Sequence, residues 1–574
     1  MDCRPHSILA PSTSPLFKHT NHEPSAIHQP RSKVAASMQQ VHSFCFDCLM
    51  RILIHKASHN SLGSHFGSAV FQPRPEFTFA VRAMVVAAAI SSDEERGVKG
   101  SSSEDEEPEW PFWKLALIAL PQLGVMVLWI FLGPNTTPYA KSLGASESFA
   151  TLNNSAGPIV GFIVGPIVGT WSDQSESKWG RRRPIIVAGL LATIVAGLLY
   201  AGAKQLMGEG NGAMYLAASM QWVLDFTINA MQTPFRALVA DLASPKQQLP
   251  MQIFFAIVCA VGCFFAFSIM KLYDVAIHHM LELMCIVLLI NVACVGLTLL
   301  IAKEKPYVRT GEQQSSGPCG MVRGMGKAFK GMPPAFYTLI FVQCMVWLGN
   351  TFWGSYGKEW FTHSVYPGDS EAAVGSLARE VYIAGADAFA SAGQYGSIFN
   401  LCLSFAFMGL GYTAIPNNLI YAPCLFMAAA VCFTCAFVVG HSHHLAVTMF
   451  ILSSVGMTAA GSIPYGIVAV WNKTAEQAGH TGSIAMQMAI LNCCITVGQQ
   501  LCTMILSGLE TSYSLVTALK GMLIIGMAAN GLAGVGALFL TTGSSSRPGK
   551  AVKTVSSSSE SEETEESAES SGTE

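Results

Sequence analysis

Charge is scarce in this chain. Of 574 residues only 12% are Asp, Glu, Lys or Arg, while 51% are hydrophobic, and a soluble globular protein carries roughly twice that charged fraction. The two signs nearly balance, 33 basic residues against 36 acidic ones, and no nucleic-acid partner is expected. Catalytic signatures are missing too. No H-E-x-x-H, G-x-S-x-G or paired Asp motif occurs, and His278-His279 stands beside an apolar run without further ligands. Neither an enzyme nor a metal site is expected. Cysteine gives no framework: most of the 16, such as Cys259, Cys263, Cys285 and Cys294, lie in apolar runs, where Cys behaves as a small hydrophobe. Cys45 and Cys48 form a C-x-x-C without a second pair.

What is abundant is apolar sequence. Runs long enough to cross a bilayer, about 20 residues each, lie near 112–133, 149–171, 184–204, 213–241, 251–271 and 281–302, and then near 335–356, 389–412, 417–440, 444–471, 482–508 and 514–541. This predicts an all-α membrane protein of twelve transmembrane helices in two sets of six, over 111–302 and 335–541. Between the sets, 303–334 carries Lys303, Lys305, Arg309, Arg323, Lys327 and Lys330 against Glu304 and Glu312. A basic loop belongs in the cytoplasm, and an even number of spans places both termini there.

The ends lie outside the fold reading. Residues 1–110 are a disordered or targeting segment: Val81-Arg82-Ala83 is similar to a plastid transit-peptide processing site. The alternative is an upstream extension, with Met38 or Met84 starting the mature chain. Residues 542–574 form a Ser/Glu-rich tail with nothing to bury, which reads as disordered. It is either a substrate for kinases or a solubilising tail.

Residues 161–184 read GFIVGPIVGTWSDQSESKWGRRRP. Gly157, Gly161, Gly165 and Gly169 recur every four positions, so they line one helix face on which a neighbour can approach closely. Asp173 and Arg181, Arg182 and Arg183 follow at the cytoplasmic end. A Gly-x-x-x-Asp turn followed by Gly-Arg-Arg resembles the connection between helices two and three of major facilitator transporters, here with a longer turn. That resemblance implies a cytoplasmic gating turn made of Asp173, Arg181, Arg182 and Arg183.

A charge inside an apolar run is costly unless a partner or a function compensates. The fourth run reads MYLAASMQWVLDFTINAMQTPFRALVADL, with Asp225 near its middle. Asp225, Asn229, Gln232 and Arg236 are spaced i, i+4, i+7 and i+11, hence on one helix face. Asp225 and Arg236 are roughly 16 Å apart along the axis, too far for an ion pair. Each needs another partner or water, as a substrate cavity provides. A carboxylate there can exchange a proton as water access changes sides. Pro234 removes one backbone bond between them and is expected to bend the helix. The competing reading is a structural polar network tying the run to its neighbours.

The same run resembles the plant sucrose carriers, glycoside–proton symporters of the major facilitator superfamily, whose fourth helix reads LDxxxNxxQxPxRALxADL. Leu224, Asp225, Asn229, Gln232, Pro234, Arg236, Ala237, Leu238, Ala240, Asp241 and Leu242 fill those places. Thr137-Pro138-Tyr139 with Leu143-Gly144, Gly157-Pro158 with the arginine block, Ser462-Ile463-Pro464-Tyr465, and Leu491-Asn492 with Gln499 resemble further family motifs across residues 112–541. The resemblance implies that Asp225 couples protons and that Arg236 holds sugar hydroxyls, with Asn229, Gln232 and Asn492 as further substrate contacts. A guanidinium fork can bridge vicinal hydroxyls.

The chain departs from the family after helix seven. There it reads WLGNTFWGSYGKEWFTHSVYPG over 347–368, which puts Gly357 on one family aspartate and Glu359 on the second, with His363 in place of an arginine and Ser364 in place of a glutamate. A family histidine after helix one appears as Glu147. Glu359 and His363 therefore join the candidate substrate contacts. Trp347, Trp353, Tyr356 and Trp360 either form an interfacial aromatic belt or stack on a sugar ring, Trp353 being the candidate for stacking.

The expectation is a proton-coupled sugar symporter, with sucrose as first candidate, working by alternating access. Its partners would be sugar, protons and the lipid bilayer, and its only cofactor the proton as coupling ion. The plasma membrane is the expected location, with a plastid or vacuolar membrane as alternative. A carrier for another glycoside or a hexose, and a non-transporting sugar sensor, are the rival readings.

Overall fold

The computed structural model describes residues 110–540 apart from 174, 209, 243–246, 303, 305–333, 412–414 and 478–483. The expectations for the N-terminal segment, the Ser/Glu tail and nearly all of the basic loop lie outside the described residues. Among the described residues there is no strand.

Among the described residues, twelve helices of eighteen residues or more succeed one another. They are α1 (Pro121–Ser142), α2 (Ala156–Asp173), α3 (Arg183–Ala201), α4 (Asn211–Leu242), α5 (Gln248–Ile269) and α6 (Met280–Ile301), then α7 (Pro334–Ser355), α8 (Leu377–Gly411), α9 (Asn417–Phe437), α10 (His443–Gln477), α11 (Ile484–Ser512) and α12 (Leu515–Leu538). Among the described residues, nine helical segments are long and apolar enough to cross a membrane. The exceptions are α4, α5 and α8. In α4 the polar stripe dilutes the apolar sequence, and the apolar stretch found in α5 is the shorter Phe254–Ile269. Large apolar side chains such as Phe162, Leu191, Leu289, Leu300, Phe341, Leu419 and Leu532 remain exposed on the helix surfaces. That is the pattern of a protein whose solvent is lipid.

Proline and small polar residues shape the first helix. Pro121 opens α1, where its missing N–H costs nothing, and a short helix, Phe112–Ala119, precedes it. Pro134 and Pro138 lie inside α1. Around them Asn135 donates to the Phe131 carbonyl at 2.7 Å and Thr136 to the Leu132 carbonyl at 2.8 Å, so side chains bond backbone carbonyls one turn back. The second expected span is in two pieces. Glu147–Asn153 is a short helix capped by the Ser146 side chain, which accepts from the Phe149 N–H, and α2 follows it.

Within the first six helices α4 packs on α2 and α3, and α1 on α5 and α6. Within the last six, α7 packs on α11 and α12, α9 on α10 and α12, and α8 on α10. The two sets meet through α5 with α8, α2 and the Glu147–Asn153 helix with α11, and α1 with α7. Two glycines allow these approaches. A Cβ at Gly133 of α1 would lie 3.0 Å from the Gly354 carbonyl oxygen of α7, and one at Gly393 of α8 would overlap the Phe267 ring of α5.

Candidate functional site

The glycine face of α2 runs along the polar stripe of α4. Cβ atoms at Gly157, Gly161 and Gly165 would meet an Asp225 carboxylate oxygen, the Asn229 Oδ1 and the Thr233 hydroxyl at 4.0, 3.7 and 3.8 Å. A Cβ at Gly169 would meet the Thr233 methyl at 3.5 Å. One four-residue repeat therefore lies on another, which explains why small residues recur where they do. Larger side chains on α2 would fill the space in front of Asp225 and Asn229.

Asp225 and Gln232 are buried, Asn229 is half-buried and Arg236 is exposed. Asn229 donates to the Asp225 backbone carbonyl at 2.9 Å. Tyr200 of α3 lies within electrostatic reach of Asp225. Tyr139, from the Thr-Pro-Tyr motif of α1, packs edge-on against the Tyr200 ring and donates to the Ala201 carbonyl at 3.0 Å. Despite Pro234, α4 runs as a single helix.

The stripe extends one turn further than the motif. Gln221 accepts from Asn153 Nδ2 at 2.6 Å and donates to Asn154 Oδ1 at 3.3 Å; Asn154 in turn donates to the Thr137 hydroxyl at 2.9 Å, and Trp222 Nε1 donates to Asn153 Oδ1 at 3.0 Å. Asn135-Thr136-Thr137 and Asn153-Asn154-Ser155 match the N-x-S/T pattern of a glycosylation sequon, yet Asn135 and Asn153 are interior residues, at 0% and 8% exposure.

Arg236 lies within electrostatic reach of Cys259 on α5 and Tyr465 on α10. The Tyr465 hydroxyl donates to Asn492 Oδ1 on α11 at 2.6 Å. Arg236, Tyr465 and Asn492, far apart in sequence, thus come together across the two sets of helices. Arg236, exposed beside these groups, offers donors to a polyhydroxy ligand, and Asn492 and Gln232 offer both donors and acceptors.

Glu359 and His363 are placed differently. Both follow α7, in the short Gly357–Glu359 helix and the π-helical turn Trp360–Val365. Glu359, 1% exposed, has its Oε1 at 2.5 Å from Lys141 Nζ of α1. This is an ion pair by distance, and neither Glu359 oxygen has an aligned hydrogen bond. The neighbouring Lys358, 3% exposed, donates to Asn135 Oδ1 of α1 at 2.6 Å. His363 is half-buried, with Nδ1 3.0 Å from the Thr362 hydroxyl and 3.2 Å from the Glu359 carbonyl. Neither lysine was anticipated. Lys358 sits in the altered post-helix-seven segment, so the departure from the family pattern was the available signal for it.

Three of the four aromatics do not form a belt, and Trp347 is half-buried. Trp353, Tyr356 and Trp360 are buried. Trp353 packs edge-on with Phe352, Trp360 and Phe450, and Phe361 and Phe389 continue the cluster. Ring-on-ring packing inside the protein replaces lipid contact, so Trp353 serves the core in this conformation.

Contacts between the two sets of helices gather at one end of the bundle, where odd-numbered helices finish and even-numbered ones begin. Besides Lys141–Glu359 and Lys358–Asn135, the Ser148 and Ser507 hydroxyls are 2.8 Å apart, Gln500 donates to Ser155 at 2.8 Å, Gln394 to Ser268 at 2.8 Å, and Lys271 pairs with Asp387 at 2.8 Å.

The arginine turn is at the opposite end. Arg181 Nη2 and Arg182 Nε bind Asp241 of α4 at 2.8 and 3.0 Å, and Arg182 Nη1 donates to Ser172 at 3.0 Å. The backbone N–H groups of Arg182 and Arg183 donate to the Glu304 carboxylate, and Arg183 Nη2 to the Leu299 carbonyl. The arginines therefore tie the α2–α3 turn to the ends of α4 and α6. Gly180 takes φ +101, and Glu304 occupies the space its Cβ would need. The Asp173 side chain lies outside the described residues. Among the described residues no group of three His, Cys, Asp or Glu could hold a metal ion.

Residues 117–368 match the family model described as MFS/sugar transport protein. The chain is 27% identical over 294 residues to sucrose transport protein SUT5 of Oryza sativa subsp. indica, a match covering 46% of this chain and 54% of that one. It is 30% identical over 239 residues to SUT4 of the same rice, covering 37% and 40%, and 34% identical over 168 residues to sucrose transport protein SUC3 of Arabidopsis thaliana, covering 27% and 28%. The chain thus spans about half the length of the first of these relatives. In structure it is similar to a POT family transporter in complex with 5-aminolevulinic acid (TM-score 0.54, 12% identity, 73% of this chain and 94% of that one). It is also similar to a D-xylose-proton symporter (TM-score 0.50, 11% identity, 75% and 97%). The resemblance to the plant sucrose carriers holds, and the chain is a multi-pass membrane protein with the major facilitator fold. Its relatives are transport proteins, in line with the expectation that it is not an enzyme.

Proposed function

We propose that this protein is a proton-coupled sugar symporter working by alternating access, with sucrose as its first candidate substrate. The observation that carries the reading is the α4 stripe: Asp225, Asn229 and Arg236 on one face, opposite glycines, with Arg236 beside the Tyr465–Asn492 pair of the other six helices. In this reading sugar hydroxyls bind Arg236, Gln232, Asn229 and Asn492, and Asp225 carries the coupling proton. Glu359 and His363 act at the end where the two sets are fastened together, and the Arg181–Arg183 turn braces the opposite end. Substrate held between two sets of helices that rock against each other is the usual arrangement for such folds. The similarity to sucrose transport proteins supports sucrose; the altered 357–364 segment favours another glycoside or a hexose as the second reading. The plasma membrane is the proposed location, with a plastid or vacuolar membrane as alternative.

The test is radiolabelled sucrose uptake in yeast lacking sugar carriers, at acidic and neutral outside pH, beside Asp225→Asn. Uptake that rises in acid and is lost in the variant is expected. Acid-independent uptake would remove proton coupling, and surface-expressed protein without sucrose uptake would move the substrate to another sugar.

A further inference from the structure

At the fastened end the charges do not balance. Lys141 lies among three carboxylates: Glu359, Glu147 of the Glu147–Asn153 helix, and Glu510 near the end of α11. The second ammonium there, Lys358, faces Asn135 and Glu359. Two ammoniums thus meet three carboxylates, with the half-buried His363 imidazole also within electrostatic reach of Lys141, Glu359 and Glu147. Glu359 has Lys141, and Glu147 is half-buried with access to water. Glu510 is left over: it is 9% exposed, and both its oxygens are buried without a hydrogen-bond partner. The buried Thr151 hydroxyl is within reach of it as a donor, though not in aligned hydrogen-bond geometry.

The other elements packed on α11 bring no compensating charge. The Tyr356 hydroxyl, nearby after α7, donates to Thr503 at 3.3 Å. Lys520 of α12 is exposed and stands over the Phe437 ring, and His443 at the start of α10 stacks on Tyr366. On α2 the only acid is Asp173, at the opposite end of that helix. Glu510 shares Lys141 with Glu359 and Glu147 and has no ammonium of its own; a carboxylate kept from water with only a shared counter-charge is costly when ionised, and taking up a proton relieves it.

We propose that Glu510 is a proton-binding site at the fastened end of the bundle, separate from Asp225. A proton on Glu510 removes the excess negative charge, leaving two ammoniums against Glu359 and Glu147. It also adds an O–H donor to a region where the buried Glu510 oxygens and Glu359 Oε2 make no aligned hydrogen bond. Parting the two sets of helices would wet Glu510 and release its proton to that side, so closure of this end is tied to protonation. The site does not depend on which solute is carried, nor on Asp225 being the coupling acid.

The measurement is acid-minus-base infrared difference spectroscopy on the purified full-length protein in lipid, following the carbonyl stretch of protonated carboxyl groups. Glu510→Gln is expected to remove one component that Asp225→Asn leaves in place, and Glu510→Asp to keep that component at a shifted frequency. The aspartate variant assigns the band even if the glutamine variant does not fold. An acid band unchanged in both Glu510 variants would overturn the proposal. Asp225→Asn removing no component of its own, while the Glu510 variants still change theirs, would count against the preceding reading and leave this one standing.

Discussion

The ammonium of Lys141 lies 2.5 Å from the Glu359 carboxylate, and this buried ion pair joins the first six helices to the last six. Removing one member of such a pair strands the other, at about 3–5 kcal/mol for full burial; Lys141 is 20% exposed, so less is expected here. Lys141→Met should therefore lower the thermal unfolding temperature in detergent more than the double variant Lys141→Met/Glu359→Leu does. Equal losses would mean the pair contributes nothing specific.

Ser148 and Ser507 place their hydroxyl oxygens 2.8 Å apart across the same junction. Paired cysteines at these sites should approach disulfide geometry. Ser148→Cys/Ser507→Cys is expected to cross-link under oxidation, to stop solute uptake, and to recover on reduction, whereas each single variant stays active. Full uptake by the cross-linked protein would show that this junction never opens.

The glycine seam gives a graded prediction. A Cβ at Gly161 meets only ordinary contacts, the nearest at 3.7 Å, so Gly161→Ala should retain uptake, whereas Gly161→Leu should lose at least tenfold by filling the space before Asn229. Gly349 is different: its Cβ would overlap Asn530 Nδ2. Gly349→Ala should cost about 1–3 kcal/mol of stability through overpacking, read by thermal unfolding.

Arg182 and Asp241 meet at 3.0 Å with Arg182 almost fully buried. Their energies should be non-additive, with a coupling of about 0.5–3 kcal/mol between Arg182→Gln and Asp241→Asn in a double-mutant cycle on unfolding. Additive losses would dissolve the proposed brace.

Arg236→Lys keeps the charge but gives up the planar fork of donors. The Michaelis constant for sugar is expected to rise at least tenfold, with the protein still at the cell surface. An unchanged constant would remove Arg236 from the sugar site.

Most of the helices could be read from the sequence because a bilayer demands long apolar runs, but their ends could not. The eighth run was expected to start at 389, yet α8 starts at Leu377. Residues 377–388 include Arg379, Glu380 and Asp387, which hide a helix from an apolar count while serving it as a polar extension; Arg379 bonds the Ala372 carbonyl and Asp387 binds Lys271. The second run is broken at Asn154-Ser155, where the asparagine side chains are used in the Gln221 network.

By itself the sequence determined what repeats locally. The 3.6-residue period placed Asp225, Asn229, Gln232 and Arg236 on one face and the four glycines on another, since helix geometry converts spacing into direction. Only the tertiary structure decided what those faces meet. It set the glycines against Asp225, Asn229 and Thr233, brought Tyr465 and Asn492 to Arg236, turned Trp353 and Trp360 inward, and gathered Lys141, Lys358, Glu359 and Glu510 at one end. Some of these partners, Lys141 with Glu359 and Arg236 with Tyr465, lie more than two hundred residues apart in sequence. Their charges must be balanced where water is excluded, a condition of the packed bundle that no single run of sequence carries.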